Sequence, residues 1–215
     1  MKSRLVWLLS LVLAFAAGAS LHWVWQRHPA QPALAAPNAV DLGFTQAMLV
    51  HHQQAVLMTQ LLLARGETRF PGLARSIQTA QLVELGQMKG WLQLWQAPLL
   101  PSRHGMDWMR LGRSPPDEAL QRYLLDCQRA PGGMPGLASS DEIDQLRRLD
   151  GAARDALFLE LMIRHHQGAL PMARFAAINA DTPALRGLAT QILAQQAEEL
   201  AQMSLLQRAL GAAPR

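Results

Sequence analysis

The run Met48-Leu49-Val50-His51-His52-Gln53-Gln54-Ala55-Val56-Leu57-Met58 returns later in the chain as Met162-Ile163-Arg164-His165-His166-Gln167-Gly168-Ala169-Leu170-Pro171-Met172. Asp41 and Phe44 precede the first copy at the spacing by which Asp155 and Phe158 precede the second, an offset of 114 residues throughout. A second block repeats at an offset of 115: Ile77, Gln81, Glu84 and Met88 recur as Ile192, Gln196, Glu199 and Met203. The duplicated unit therefore has two parts and spans roughly fifty residues. One added residue in the second connection accounts for the changed offset.

Each part reads as a helix. At about 100° per residue, Phe44, Met48, His51, Ala55 and Met58 fall within roughly 80° of one another, with His52 on the flank of that stripe. The helix is expected to run from Asp41 to Gly66, and Pro71 to open the next. There Ile77, Gln81, Glu84, Met88, Trp91 and Trp95 share a stripe, so that Gln81 and Glu84 interrupt an apolar face. A carboxylate in such a place needs a partner. If the two helices fold back near Thr68, His51 comes level with Glu84, Met48 with Met88 and Phe44 with Trp91. About a turn at Asp181-Thr182-Pro183 the second copy repeats this, with His165 level with Glu199, Met162 with Met203 and Phe158 with Leu206. The expected fold is all-α: two duplicated hairpins packed as a four-helix bundle with a polar layer inside.

Residues 97–150 do not repeat. Pro98, Pro101, Pro115 and Pro116 mark irregular chain, Asp117 to Gln128 reads as a short helix, and Pro131 to Gly136 as a loop. Ser139 and Glu142 form a capping-box pattern that opens a further short helix to about Leu149.

Half of the 215 residues are apolar and six per cent aromatic, a balance that favours helices over sheets. The pI near 10.2 comes from Arg scattered among Asp and Glu rather than gathered in a stripe, which argues against a nucleic-acid partner. Cys127 is the only cysteine, so the chain has no internal disulfide and no thiolate cluster; it reads as a half-buried filler. After Lys2 and Arg4, residues Leu5 to Trp25 carry no formal charge, about the length of a membrane span, with Trp23 and Trp25 at the interface position. The segment reads either as an uncleaved anchor or as a signal peptide cut after Ala17-Gly18-Ala19 or Ala33-Leu34-Ala35. Both place the rest of the chain outside the cytoplasm. The organisation expected is a signal peptide or transmembrane anchor over 1–26, a Pro/Ala-rich stem over 27–39, and a helical domain over 40–212. That domain comprises hairpin one at 41–96, the insert at 97–150 and hairpin two at 151–211.

The pattern HHQ-x-A-x-x-M, preceded by F-x-x-x-M and followed by Q-x-x-E-x-x-x-M, resembles the DUF305 family, as do the Met134-Pro135-Gly136 turn and the helix from Ser139 to Leu149. The likeness covers roughly residues 40–210. It implies an exported bacterial protein with a ferritin-like helical bundle and, as for some members, periplasmic copper binding and tolerance. Carried onto this chain, the implied positions are His51, His52, His165 and His166 with the methionines around them. Pro171 departs from the family pattern and is expected to kink its helix.

The donor chemistry points the same way. Imidazole suits copper, zinc, iron and nickel, whereas thioether selects Cu(I) or Ag(I). Apart from Met1, six of the nine methionines occupy repeated positions. The candidate metal-binding set is His51, His52, His165, His166, Met48, Met58, Met88, Met162, Met172, Met203, Glu84 and Glu199, with copper as the ion and His104-Gly105-Met106 as a second, looser contact. Two other readings stay open at this level. The methionines fill a core, and each His–Glu pair either fixes hairpin register or transfers protons. Neither copy holds the Glu-x-x-His of di-iron bundles, and no nucleophile elbow, phosphate loop or CxxC motif occurs, so no enzyme is expected. The competing role is a membrane-tethered structural or interaction module whose protein partner the sequence does not name.

Overall fold

The computed structural model describes residues 36–64, 68–101 and 105–212, together with 7, 11, 14–20, 22 and 23. Met1–Ala35 forms one compact unit and Ala36–Arg215 another. The described residues of the first unit are helical, and among the described residues no helix is long and apolar enough to cross a membrane. Ten of the 21 residues of the uncharged run from Leu5 to Trp25, the cleavage motif at Ala33–Ala35 and His104 lie outside the described residues.

Among the described residues, the regular structure of the second unit is all helical. Asn38 and Asp41 start α1 (Ala39–Leu63) with a reciprocal cap: the Asn38 side chain accepts from the Asp41 amide at 2.7 Å, and the Asp41 carboxylate accepts from the Asn38 amide at 3.1 Å. The helix ends at Leu63, before the expected Gly66, which lies outside the described residues. Pro71, whose missing N–H costs nothing in a first turn, opens α2 (Pro71–Leu94). In the insert, α3 (Glu118–Arg129) is capped by Asp117, and α4 (Ser140–Arg148) by the Ser139/Glu142 box, both bonds of which form. The second pair is α5 (Gly151–Asn179) and α6 (Pro183–Ala212). Pro171 sits inside α5, and the helix continues through it.

Helix α2 packs along α1, α6 along α5, and α1 against α5. The duplication appears as a reciprocal clasp. Asp41, at the start of α1, accepts from Asp181 N (3.1 Å), Thr182 N (3.2 Å) and Thr182 Oγ1 (3.0 Å) in the turn of the other hairpin. Asp155, near the start of α5, accepts from Thr68 Oγ1 (2.6 Å) and Arg69 N (3.0 Å) in the turn of the first. Each hairpin thus caps the other's turn, which sets α1 and α5 antiparallel. All of these acceptor groups are buried, where a satisfied carboxylate stabilises and an orphaned amide costs.

The insert straps this pair. Trp108 packs edge-on against Phe44 of α1 (centroids 6.1 Å, 69°) and Phe175 of α5 (5.7 Å, 72°). A side chain at Gly43 would place its Cβ 2.3 Å from the Trp108 Cβ, so the indole requires glycine there. Further along, the Gln54 amide brackets the Ala138 backbone, donating to its oxygen (2.9 Å) and accepting from its nitrogen (2.7 Å). Gly168 lies under the same loop, where a Cβ would come within 1.9 Å of the Pro135 oxygen.

Removing the Asp41 clasp by Asp41→Ala is expected to lower stability by about 3 kcal/mol, since three donors in the α5–α6 turn and one helix cap lose their acceptor. Asp155→Ala, with fewer bonds to lose, should cost less. Urea unfolding of the two variants checks both values, and a change under about 0.5 kcal/mol for Asp41→Ala would contradict the clasp.

Candidate metal centre

All four repeated histidines are fully buried at mid-helix, where α1 crosses α5. His51 Nε2 lies 3.1 Å from the backbone oxygen of His165, and His165 Nε2 lies 3.0 Å from that of His51. The two rings stack with centroids 3.6 Å apart and planes at 34°. A carbonyl only accepts, so each Nε2 carries the proton and donates. The lone pair of each neutral ring therefore sits on Nδ1.

The second histidine of each pair turns toward its own hairpin. His52 Nε2 meets Glu84 Oε2 at 2.7 Å, and His166 Nε2 meets Glu199 Oε2 at 2.7 Å. This corrects the expectation that His51 and His165 would stand opposite the glutamates. The height is right to within one residue, but the face is not. Adjacent helical positions differ by about 100°, so while His51 and His165 face across the α1–α5 crossing, His52 and His166 look at α2 and α6. An ionised carboxylate only accepts, which again places the donated proton on Nε2. The Nδ1 atoms of all four rings, and both amide atoms of Gln81 and Gln196, are buried without a hydrogen-bond partner in the protein. The halves differ at one point: Gln195 donates to the second oxygen of Glu199 at 3.0 Å, whereas Ala80 holds the equivalent place before Glu84.

The methionines flank this layer. Met48, Met88 and Met172 belong to one apolar cluster of the core and Met58, Met162 and Met203 to the other, all fully buried. Met106, Met109 and Met134 of the insert join the first cluster. Cys127 is buried there too, more deeply than expected, and burial pushes its thiol up to about 11, which suits a filler rather than a nucleophile.

Among the described residues, no three or more His, Cys, Asp or Glu side chains form a group that could hold a metal ion. A hard, carboxylate-rich centre does not fit. The donors that are present, imidazole nitrogens without protein partners beside buried thioethers, fit a soft ion of low coordination number. The Glu84 and Glu199 carboxylates behind the rings are the outer-shell partners that metal-bound imidazoles commonly use. Asp41 and Asp155 stand apart as turn caps. Their role was not read from the repeat, although Thr68 and Thr182 recur at the same offset of 114 and carry the signal.

Burial, and to a lesser degree the neighbouring imidazoles (His52 and His166 for His51; His51, His166 and His52 for His165), hold His51 and His165 well below the usual imidazole value of 6.5. On unfolding below that pH each ring takes up a proton, so the unfolded chain binds more protons than the folded one. Their contribution to stability is full above about pH 6.5 and is lost on acidification, by up to about 1.4 kcal/mol per pH unit for each ring. Unfolding free energies of the metal-free protein between pH 7.5 and 5 should show this slope. The double variant His51→Gln, His165→Gln should flatten it, and equal slopes for the two proteins would refute the assignment.

The family model described as a domain of unknown function, DUF305, matches residues 41–207. A structure of a putative secreted DUF305 protein from Streptomyces coelicolor is 31% identical, covers 82% of this chain and 96% of its own, and has a TM-score of 0.66. A DUF305 fragment from Deinococcus radiodurans is 28% identical, with 82% and 99% covered and a TM-score of 0.59. CopM in its Cu(I)-bound form is 26% identical, with 78% and 95% covered and a TM-score of 0.55; CopM is also solved in Cu(II)- and Ag-bound forms. No curated protein matches the chain. With the family model spanning most of its length, the chain belongs to the DUF305 family.

Proposed function

We propose that this protein binds Cu(I) or Ag(I) outside the cytoplasm, through the His/Met layer of a ferritin-like four-helix bundle, for storage, buffering or tolerance. The observation that carries the reading is the set of four buried imidazoles whose Nδ1 atoms have no partner in the protein, flanked by six buried thioethers. Burying a polar nitrogen without a partner costs free energy, and a bound soft ion recovers it. The metal-bound CopM structures support the ion class. The layer holds His51, His52, His165 and His166, with Met48, Met58, Met88, Met162, Met172 and Met203 as thioether donors and Glu84 and Glu199 behind the rings. The uncharged run after Lys2 and Arg4 supports export, either as a retained inner-membrane anchor joined by the stem at 27–39 or as a leader that is removed. The likeness to a putative secreted protein supports the same address.

A second reading has one observation of its own. Every ring Nε2 already has a short partner, so the layer can serve to fix the register of the hairpins within a tethered structural or interaction module.

Uptake of Cu(I) and Ag(I) by the metal-free chain separates the two. The first reading expects binding that disappears when His51, His52, His165 and His166 are all changed to Ala, and that weakens about 10–100-fold in Glu84→Gln with Glu199→Gln. The structural reading expects the glutamine variant to lose stability and leave metal affinity untouched. No uptake by the unaltered chain, or equal uptake by the four-alanine variant, would end the first reading. Alkaline carbonate extraction tests the address: a retained anchor leaves the chain in the membrane pellet, and a removed leader releases it.

A further inference from the structure

The chain enters α1 from upstream at Asn38, and α2 and α5 both run antiparallel to α1. One end of the bundle therefore gathers the start of α1, the ends of α2 and α5 and the turn into α6, held together by the Asp41 bonds to Asp181 and Thr182. Five large apolar side chains stand out from this end, each 42–62% exposed: Leu94 at the end of α2, Leu99 and Leu100 in the loop that follows, Leu111 in the insert and Ile178 at the end of α5. Single exposed leucines mean little, whereas a patch does. The loop is laid against α1 by the Gln46 amide, which donates to the Pro98 and Leu100 oxygens at 2.7 and 3.4 Å. Leu111 is set beside the end of α5, because Arg113 N donates to Asn179 Oδ1 at 2.9 Å and a Cβ on Gly112 would come 2.8 Å from the Phe175 ring. Between these two segments opens an apolar cleft of about 750 Å³, walled by Leu42, Leu100, Met106 and Trp108. Trp91 and Trp95, half-buried and stacked at 6.3 Å, lie on the α2 side.

Basic side chains stand among the apolar ones. Arg174 is exposed one turn before Ile178 on the same face of α5. Arg110 and Arg113 pair with Asp107 at 3.3 Å and Asp181 at 3.4 Å, but all four side chains are 48–87% exposed. Exposed pairs are weak, and a phosphate offers a guanidinium the same geometry as a carboxylate. Leucine, tryptophan and arginine on one face suit the boundary of a bilayer: apolar side chains enter the acyl region, indoles lie at headgroup level and guanidinium meets phosphate. The sequence leads to the same partner. The uncharged run ends at Trp25 and α1 begins at Ala39, so the residues between span at most about 45 Å when extended. That reach is little more than the length of α1 itself, whose 25 residues rise about 37 Å.

We propose that this end of the bundle docks on the surface of a bilayer that contains anionic phospholipid, with Leu94, Leu99, Leu100, Leu111 and Ile178 as the inserted side chains and Arg110, Arg113 and Arg174 on the phosphates. The bundle then stands end-on, with the Thr68 turn pointing away from the lipid. A tether of this length holds the patch near the surface at an effective concentration on the order of millimolar, so weak docking suffices. The inference rests on the exported, anchored address proposed above and on none of the metal chemistry.

The full chain is reconstituted into vesicles of phosphatidylcholine alone and of phosphatidylcholine mixed with phosphatidylglycerol, and amide hydrogen exchange is followed peptide by peptide. Residues 93–101, 107–113 and 174–182 should exchange more slowly on the mixed vesicles, while the Thr68 turn and residues 200–206 should not change. Leu111→Asp with Ile178→Asp should abolish this protection. Leu82→Asp with Val83→Asp, also at exposed positions but in the middle of α2, should keep it. Arg110→Gln, Arg113→Gln and Arg174→Gln together should remove the preference for the mixed vesicles. A lipid with a photoreactive acyl chain, crosslinked to the unaltered chain, reads the same contact without any variant and should label residues 94–111. Equal exchange on both vesicles, or protection that extends to the far end, overturns the docked end. Protection that grows with protein concentration in lipid-free micelles overturns it too and makes the patch an interface between copies of the chain. Sedimentation separates the two readings: a chain that sediments with vesicles without protection at this end keeps the anchor and loses the docking, and a chain that stays in solution loses both.

Discussion

The structure depends on a reciprocal bond at its centre: the His51 imidazole gives its N–H to the backbone of α5 at His165, and His165 returns it to α1. A fully buried ring nitrogen that misses its acceptor costs about 1–3 kcal/mol, more than a made bond contributes. The penalty for sliding α1 along α5 by a residue is therefore levied twice, and within each hairpin His52 and His166 fix the helix against its own partner through a carboxylate. Apolar side chains on either side tolerate slippage better than this layer does. The same bonds that fix register leave the remaining nitrogens of the rings without a hydrogen-bond partner in the protein.

Much of this was legible in the sequence because duplication supplies an internal control. A residue pairing derived from one copy could be checked on the other, and Met48 with Met88 and Met162 with Met203 do share clusters as the hairpin arithmetic requires. The face of the helix was not legible. Periodicity places His51 on the apolar stripe and His52 on its flank, but it cannot say which stripe meets which neighbour, and the glutamates took the flank. Local signals in the insert held, since Asp117 and the Ser139/Glu142 box act within one turn. Partners far away in the chain did not show. The Asp41 contact to Thr182 spans 141 residues, and its one trace in the sequence is that Thr68 and Thr182 repeat at the same offset as Asp41 and Asp155. Gly43 and Gly168 likewise look like weak points in helices until Trp108 and Pro135 are seen against them.

The two halves match closely at the layer and diverge outside it. Gly43 stands where the second copy has Leu157, and Gly168 where the first has Gln54; both changes accommodate the insert, which lies across the α1–α5 pair. Tyr123 adds to the strap by donating to the Gly168 oxygen at 2.9 Å. The differences at Gly43 and Gly168 thus lie on the surface that a single connecting segment must cover, while the repeated histidines, glutamates and methionines stay equivalent.

The exchange of caps between Asp41 and the Thr182 turn, and between Asp155 and the Thr68 turn, has a consequence for ancestry. One hairpin on its own carries both halves of the lock, an acidic residue at its entrance and a threonine at its bend, and so presents a self-complementary surface to a second copy. The chain has the arrangement of an isologous pair linked by residues 97–150, and such a link replaces the entropy of bringing two molecules together with the smaller one of closing a loop.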